Sequence, residues 1–251
     1  MEQAAAVLDA GYVKIVEAWG SDERIIEAAR MSTGKGFQGW GPQHDKDCLR
    51  PDLKLGIECT CDGVPGDEKL LAYLYNNKHM TPFEMAGMVI EVKAPIFVFR
   101  EWHRHRTQSY NEMSARYTPL PDENYIPSIK RLMMTGGSNK QAQSVGAILD
   151  ETGAKAFQAV LKEAYRDAQE AYEFGLSAGV PKELARLPVP VARYSRMRAS
   201  ANLRNWLQFL TLRMDPAAQW EIRQYAEAVG ELIAGSFPRT WELFIGEKKH
   251  G

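Results

Sequence analysis

The chain has 251 residues, 45% of them hydrophobic and 25% charged, a globular balance that excludes a disordered, collagenous or coiled-coil protein. Lysine and arginine number 31 against 32 acids, so no bulk positive field exists to hold nucleic acid or an anionic membrane. Any polyanion site has to be local. The length sets the expectation of one domain over residues 1–251. No run approaches the ~20 apolar residues of a membrane span, and the opening MEQAAAVLDAGYVKIVEAW lacks the basic-then-apolar pattern of a signal peptide. A cytoplasmic protein without a membrane partner is expected. Cys48, Cys59 and Cys61 read as free thiols, and together with His44 they match no standard zinc spacing, so no metal is expected.

In chain order, Tyr12 to Ala18 alternates as a strand does, and Ser21 offers an N-cap to a helix through Ile25, Ile26 and Ala29 that ends near Gly34. Gly34 to Gly66 is rich in Gly, Asp, Pro and Cys, has no period, and reads as a loop insertion. Asp67 is placed to cap a second helix through Leu70, Leu71 and Leu74, and Met88 to Val92 alternates as a strand. Pro95 fits either the start of a helix, IFVFREW, or a strand edge. Thr135 to Gly146 reads as a surface loop. Thr152 opens a long amphipathic helix with the stripe Phe157, Val160, Leu161, Ala164, Tyr165, Ala168 and Tyr172, stopped by Gly179 and Pro181. A short helix at KELARL and another over Ser200 to Met214 follow. Asp215-Pro216 then announces a last long helix with Ile222, Tyr225, Ala226, Val229, Leu232 and Ile233 on one stripe. The class that results is α+β, helices outweighing strands.

Two segments depart from the average composition. Arg100 to Thr118, REWHRHRTQSYNEMSARYT, holds arginines but no lysine, and it includes His103 and His105. In extended backbone Arg104 and Arg106 share a face with His105 opposite, and Ser114 and Arg116 form a second such pair. Arginine suits fixed, bidentate phosphate recognition, so an all-arginine cluster points to a positioned phosphate ligand. Leu184 to Met214 carries Arg186, Arg193, Arg196, Arg198, Arg204 and Arg213 with neither acid nor lysine. For Arg193, Arg196 and Arg198, pairing with acids elsewhere in the fold and ligand binding are both open. On the expected Ser200 to Met214 helix, Asn202 and Arg213 share one face while Arg204 and Gln208 share another. No Gly-x-Gly-x-x-Gly follows an expected strand, and there is no Walker-type loop.

The run Arg104 to Tyr117, RHRTQSYNEMSARY, closely resembles the signature of the flavin-dependent thymidylate synthases. Further stretches resemble that family in the same order: AAR at Ala28 to Arg30, HMTPFE at His79 to Glu84, KAPIFVFREW, NKQ at Asn139 to Gln141, PKELAR ending at Arg186, and NLRNWLQFLTLR from Asn202 to Arg213. The resemblance implies a single domain, a mostly antiparallel sheet packed by long helices, assembled as a homotetramer with sites shared between subunits. It implies methylation of dUMP at C5 to give dTMP, with methylenetetrahydrofolate as carbon donor, FAD as cofactor and NADPH as hydride source. Carried over by position, Glu101, Arg104, Glu112, Ser114, Ala115, Arg116, Arg186 and Arg213 would surround dUMP. His79, Thr81, Arg104, His105, Arg106, Asn111, Glu112, Asn202, Arg204 and Gln208 would hold FAD. Arg213 would be catalytic, stabilising the uracil ring with N3 ionised so that C5 becomes electron-rich without a thiol at C6.

Two positions depart from the family pattern. Glu101 stands where some relatives have glutamine, and a carboxylate there would repel a phosphate unless an arginine pairs with it. Gln208 stands where relatives often carry Asn or His. The competing readings are a related flavin- and folate-dependent methylase or hydroxymethylase of a pyrimidine nucleotide, and a single-stranded nucleic-acid module built on arginines interleaved with Tyr110, Tyr117, Tyr194, Trp102 and Trp206. The net charge of -1 argues against the module.

Overall fold

The computed structural model describes residues 4–41, 66–134 and 149–250. His44, the three cysteines, most of the Gly34 to Gly66 loop, the Thr135 to Gly146 loop and the NKQ stretch lie outside the described residues. Five strands form one sheet in the order β1-β2-β3-β5-β4: β1 (Ala4–Val7), β2 (Gly11–Trp19), β3 (Gly87–Pro95), β4 (Ser109–Glu112) and β5 (Tyr194–Asn202). β1 pairs antiparallel with β2, with Val7 opposite Gly11, and β4 pairs antiparallel with β5, with Asn111 opposite Arg198. The described helices are α1 (Asp22–Arg30), α2 (Glu68–Asn76), α3 (Ile96–Trp102), α4 (Ile129–Met133), α5 (Glu151–Ser177), α6 (Lys182–Ala185), α7 (Leu203–Arg213), α8 (Trp220–Ser236) and α9 (Pro238–His250). The α+β class is as expected.

By compactness the chain forms two units. The first is Met1–Val16, Val89–Ser200 and Phe209–Val229, and the second is Glu17–Met88, Ala201–Gln208 and Gly230–Gly251. In the first unit Val13, Ile90, Val92, Val98, Trp102, Phe209, Ile222 and Tyr225 are wholly buried, with Trp102 stacked on Phe209 at 4.6 Å. Gly11 is required here by space: a Cβ would meet the Tyr225 hydroxyl at 2.0 Å, and that hydroxyl donates to the Lys93 carbonyl at 2.9 Å. In the second unit Ile25, Ile26, Phe83, Met88, Trp206, Ile233 and Phe237 make the core, and the Trp206 indole N–H donates to the Met88 carbonyl at 3.1 Å.

Several elements differ from the sequence expectations. The Ser21 hydroxyl does cap α1, accepting from the Arg24 N–H. Asp67 precedes α2 but makes no capping bond; it is buried, pairs with Arg30 and accepts the Gln38 N–H at 2.7 Å. Pro95 ends β3 and stands at the N-cap of α3, so it belongs to both alternatives. The cap of α5 is Asp150, not Thr152. The expected helix from Ser200 begins instead at Leu203, because Tyr194 to Asn202 is a strand. Asn202 sits at its end, where its Oδ1 accepts the Asn205 N–H at 3.0 Å as an N-cap does. Asn202 and Arg213 therefore do not share a helix face. Asp215-Pro216 opens a turn, with Asp215 Oδ1 accepting the Ala217 N–H at 2.7 Å, and α8 starts only at Trp220. β1 and α9 had no counterpart in the sequence reading.

Candidate functional site

In the first unit, polar groups converge on Arg213 at the end of α7. Its Nε–H donates to His105 Nε2 at 2.8 Å, Nη1 to Glu101 Oε2 at 2.9 Å, and Nη2 to the Glu101 carbonyl oxygen at 2.8 Å. Both partners come from the C-terminal end of α3 and the turn after it. The Arg213 side chain is 15% exposed and that of Glu101 42%, so the ion pair is open to solvent on the carboxylate side. A guanidinium carries more N–H donors than these contacts use, which leaves charged donors for a ligand. The pairing also answers the repulsion expected of Glu101: an arginine holds its carboxylate.

His105, assigned by resemblance to the flavin, is turned inward and buried, its ring edge-on to Phe209 at 4.9 Å. Arginine can only donate, so Nε2 holds the lone pair and the imidazole is neutral with its proton on Nδ1. Burial first, and the Arg213 charge second, push its pKa down to about 4, while Glu101 pulls it the other way.

The turn carrying His105 is itself pinned. The Trp102 indole N–H donates to Gln108 Oε1 at 3.0 Å. The Tyr110 hydroxyl lies 2.8 Å from the His105 carbonyl, 3.1 Å from the Trp102 carbonyl and 3.2 Å from Gln108 Oε1. Burial pushes this phenol up, so it stays a donor. Trp102, Gln108 and Tyr110 were not among the expected site residues, although all border or lie within the signature. The turn bonds His105 N to Trp102 O at 3.0 Å and Gln108 N to His105 O at 3.2 Å mean that residues 103–108 are not extended. The same-face pairing expected for Arg104 and Arg106 therefore fails, and Ser114 to Arg116 is also a turn. Arg104 and Arg106 are nevertheless both exposed, and neither makes an ion pair among the described residues.

Glu112, Ala115 and Arg186 meet at a cleft of about 130 Å³, with Met113, Leu120 and Ser195 among its other walls. Ser195 is buried, and its Oγ has no hydrogen-bond partner among the described residues. Nearby in sequence, Ser114 Oγ accepts the Arg116 N–H at 3.3 Å, and Arg116 pairs with Glu183 at 3.2 Å across an exposed surface. Asn111 is exposed on β4. Of the arginines left open above, Arg193 is structural: wholly buried, it donates to the Pro121 carbonyl at 2.6 Å and Gln169 Oε1 at 2.7 Å and pairs with Asp122. Arg198 pairs with Glu91 at 3.2 Å.

The second unit holds the remaining residues. His79 and Thr81 are exposed, His79 edge-on to Tyr73 at 5.7 Å. Arg204 and Gln208 are exposed on one face of α7 as the spacing required, and Arg204 pairs with Glu84 of the turn Thr81–Met85. Glu84 was not singled out as a site residue.

The donor set suits a flavin dinucleotide: Arg104 and Arg106 are exposed cations without an acidic partner among the described residues, as a pyrophosphate requires.

Comparison with known proteins gives a consistent result. The family model Thy1, "Thymidylate synthase complementing protein", matches residues 14–239. A flavin-dependent thymidylate synthase of Thermus thermophilus is 40% identical over 95% of this chain and 77% of its own length. The enzyme of that name from Pseudothermotoga lettingae is 34% identical over 98% and 95%. Among solved structures, the UMP/dUMP methylase PolB from Streptomyces cacaoi bound with 5-Br dUMP superposes with a TM-score of 0.75 at 31% identity, covering 96% of this chain and 97% of that one. The same protein bound with 5-Br UMP gives 0.74 at 30% identity, covering 95% of each. With an arginine clamped at the end of α7, the signature intact and relatives of this similarity along nearly its whole length, the chain belongs to the flavin-dependent thymidylate synthase family.

Proposed function

We propose that the protein methylates dUMP reductively to dTMP, taking the carbon from methylenetetrahydrofolate and the reducing equivalents from NADPH through FAD. The observation that carries this reading is Arg213, oriented by three hydrogen bonds and left with further charged donors. Uracil C5 is a feeble nucleophile. A guanidinium stays cationic at any working pH, so donors from Arg213 on the ring oxygens favour the N3-ionised form and push electron density toward C5. No cysteine lies in the signature to add at C6 instead.

On this reading Arg104, Glu112, Ser114, Ala115, Arg116 and Arg186 bind the nucleotide, and the cleft at Glu112, Ala115 and Arg186 takes one end of it. Arg104, Arg106, Asn111, Thr81, His79, Asn202, Arg204 and Gln208 would hold FAD, which when bound and reduced supplies the hydride. Arg116 and Arg186 stand among exposed apolar side chains, Tyr117 at 80% and Leu187 at 78% exposure, and Lys182 Nζ donates to the Tyr117 carbonyl at 2.9 Å. Apolar surface beside a polar site supports a site completed by another copy of the chain, and we assign the assembly as a homotetramer.

Anaerobic incubation with dUMP, methylenetetrahydrofolate, FAD and NADPH, followed by mass identification of the nucleotide, tests the reading. The expected product is dTMP; a hydroxymethylated nucleotide, or none, overturns it. A second reading, methylation of UMP as well, has support in the likeness to PolB, a UMP/dUMP methylase. Direct competition decides: dUMP consumed ahead of UMP upholds the first reading, and equal consumption upholds the second.

A further inference from the structure

The mechanism above uses Arg213 but gives no task to the buried imidazole beside it. Three features of His105 bear on that. Its Nε2 accepts the Arg213 Nε–H at 2.8 Å, the Phe209 ring fixes its plane from one side, and the turn that carries it is locked by Tyr110 and Gln108. Glu101 holds the other end of the same guanidinium through both its carboxylate and its carbonyl oxygen. The charged groups facing His105 are therefore Arg213 from α7 and Glu101 from α3, and the ring is neutral between them.

We propose that His105 is a positioning residue for Arg213: with Glu101 it fixes the guanidinium in one orientation, so that the unused N–H donors are already aimed when the pyrimidine arrives. This rests on the reading that Arg213 grips the pyrimidine. An arginine side chain otherwise samples many rotamers, and freezing it before binding removes that entropic loss from the substrate step. A protonated imidazole could not do this, because it has no lone pair to offer at Nε2. The Phe209 ring packed against the imidazole is wholly buried.

The FAD-loaded enzyme tests the proposal with His105→Leu, His105→Asn and His105→Gln. Leucine removes the acceptor, and the short asparagine amide does not reach Nε. Glutamine places a carbonyl oxygen near the position of the imidazole Nε2. For His105→Leu we expect unchanged flavin content and a fall in kcat/KM for dUMP of about 100-fold, the loss typical of a misplaced catalytic group. His105→Gln should recover to within about fivefold of the parent enzyme, since its carbonyl accepts the same N–H. If the leucine variant does not fold, His105→Asn takes its place and should match the same loss. Glutamine no better than leucine or asparagine, or flavin lost with the imidazole, overturns the proposal. Arg213→Lys in the same assay separates the two ideas: near-normal turnover there sinks the reading of Arg213. Loss in Arg213→Lys beside normal turnover in the leucine and asparagine variants sinks only the role of His105.

Discussion

A histidine that has to remain neutral ties the stability of its surroundings to pH. The ordinary pKa of the ring is 6.5, and in the fold burial and the Arg213 charge bring that of His105 down to about 4. Between those values the unfolded chain takes up a proton that the folded chain refuses. Stability is thus full above the upper value and is lost as pH falls toward the lower one, by at most about 3 kcal/mol. Glutamine at this position keeps the acceptor and does not titrate. Urea midpoints of the parent and His105→Gln measured from about pH 7 to pH 4.5 should therefore converge, or cross, as the pH falls. Parallel curves would mean that the imidazole is free to charge in the fold. At this scale the sequence was informative about Arg213 and silent about its partners. The stretch Asn202 to Arg213 carries the arginine by resemblance, but His105 and Glu101 reach it across 108 and 112 residues, a pairing no local pattern encodes.

At the scale of elements, the N-terminus of α9 is held by a residue more than two hundred positions away. Asp22, at the start of α1, accepts the Arg239 N–H at 2.9 Å, the Thr240 N–H at 3.2 Å and the Thr240 hydroxyl at 2.6 Å. It is 3% exposed, and burial raises its pKa. These bonds satisfy N–H groups that a helix start leaves without intrahelical partners, and Thr240 is itself wholly buried. Asp22→Ala should cost about 2 kcal/mol or more in urea unfolding, and Asp22→Asn clearly less, since one amide oxygen still accepts. Equal losses in the two variants would place the cost in packing instead. β5 was missed for a related physical reason. Its inward positions are Ser195, Met197, Ala199 and Ala201, so the alternation is real but mostly small or polar, while the outward arginines drew attention to charge. Arg104 to Arg106, read as extended backbone, failed conversely: the run is polar, and its one buried residue, His105, is not part of an apolar row that would enforce a strand. α1, β2, β3 and α8 were legible because each buries a regular apolar row.

For the molecule as a whole, α5 presents apolar side chains on two sides. Ala154, Tyr172 and Gly175 are buried, whereas Phe157, Val160 and Phe174 are 44%, 60% and 73% exposed. With Ala164 and Ala171, also exposed, these residues follow a three- and four-residue spacing, interrupted once where Asp167 stands between Ala164 and Ala171, of the kind that lets one helix seat against another. The sequence reading placed Phe157 and Val160 on a single stripe with Tyr165 and Tyr172; one chain covers only part of it, and the rest is available to a second copy. Charge introduced on that remainder should break assembly without unfolding the chain, since substitutions at exposed positions shift stability by about 0.5 kcal/mol or less. Val160→Glu combined with Phe174→Glu is therefore expected to lower the mass measured by light scattering from that of four chains to a smaller species, with helical circular dichroism retained. Turnover should fall with the mass, because Arg116 and Arg186 would lose the neighbouring copy proposed to complete their site. A parent protein that is monomeric at micromolar concentration, or a double variant that remains four chains, would show that this face of α5 is not where the copies meet.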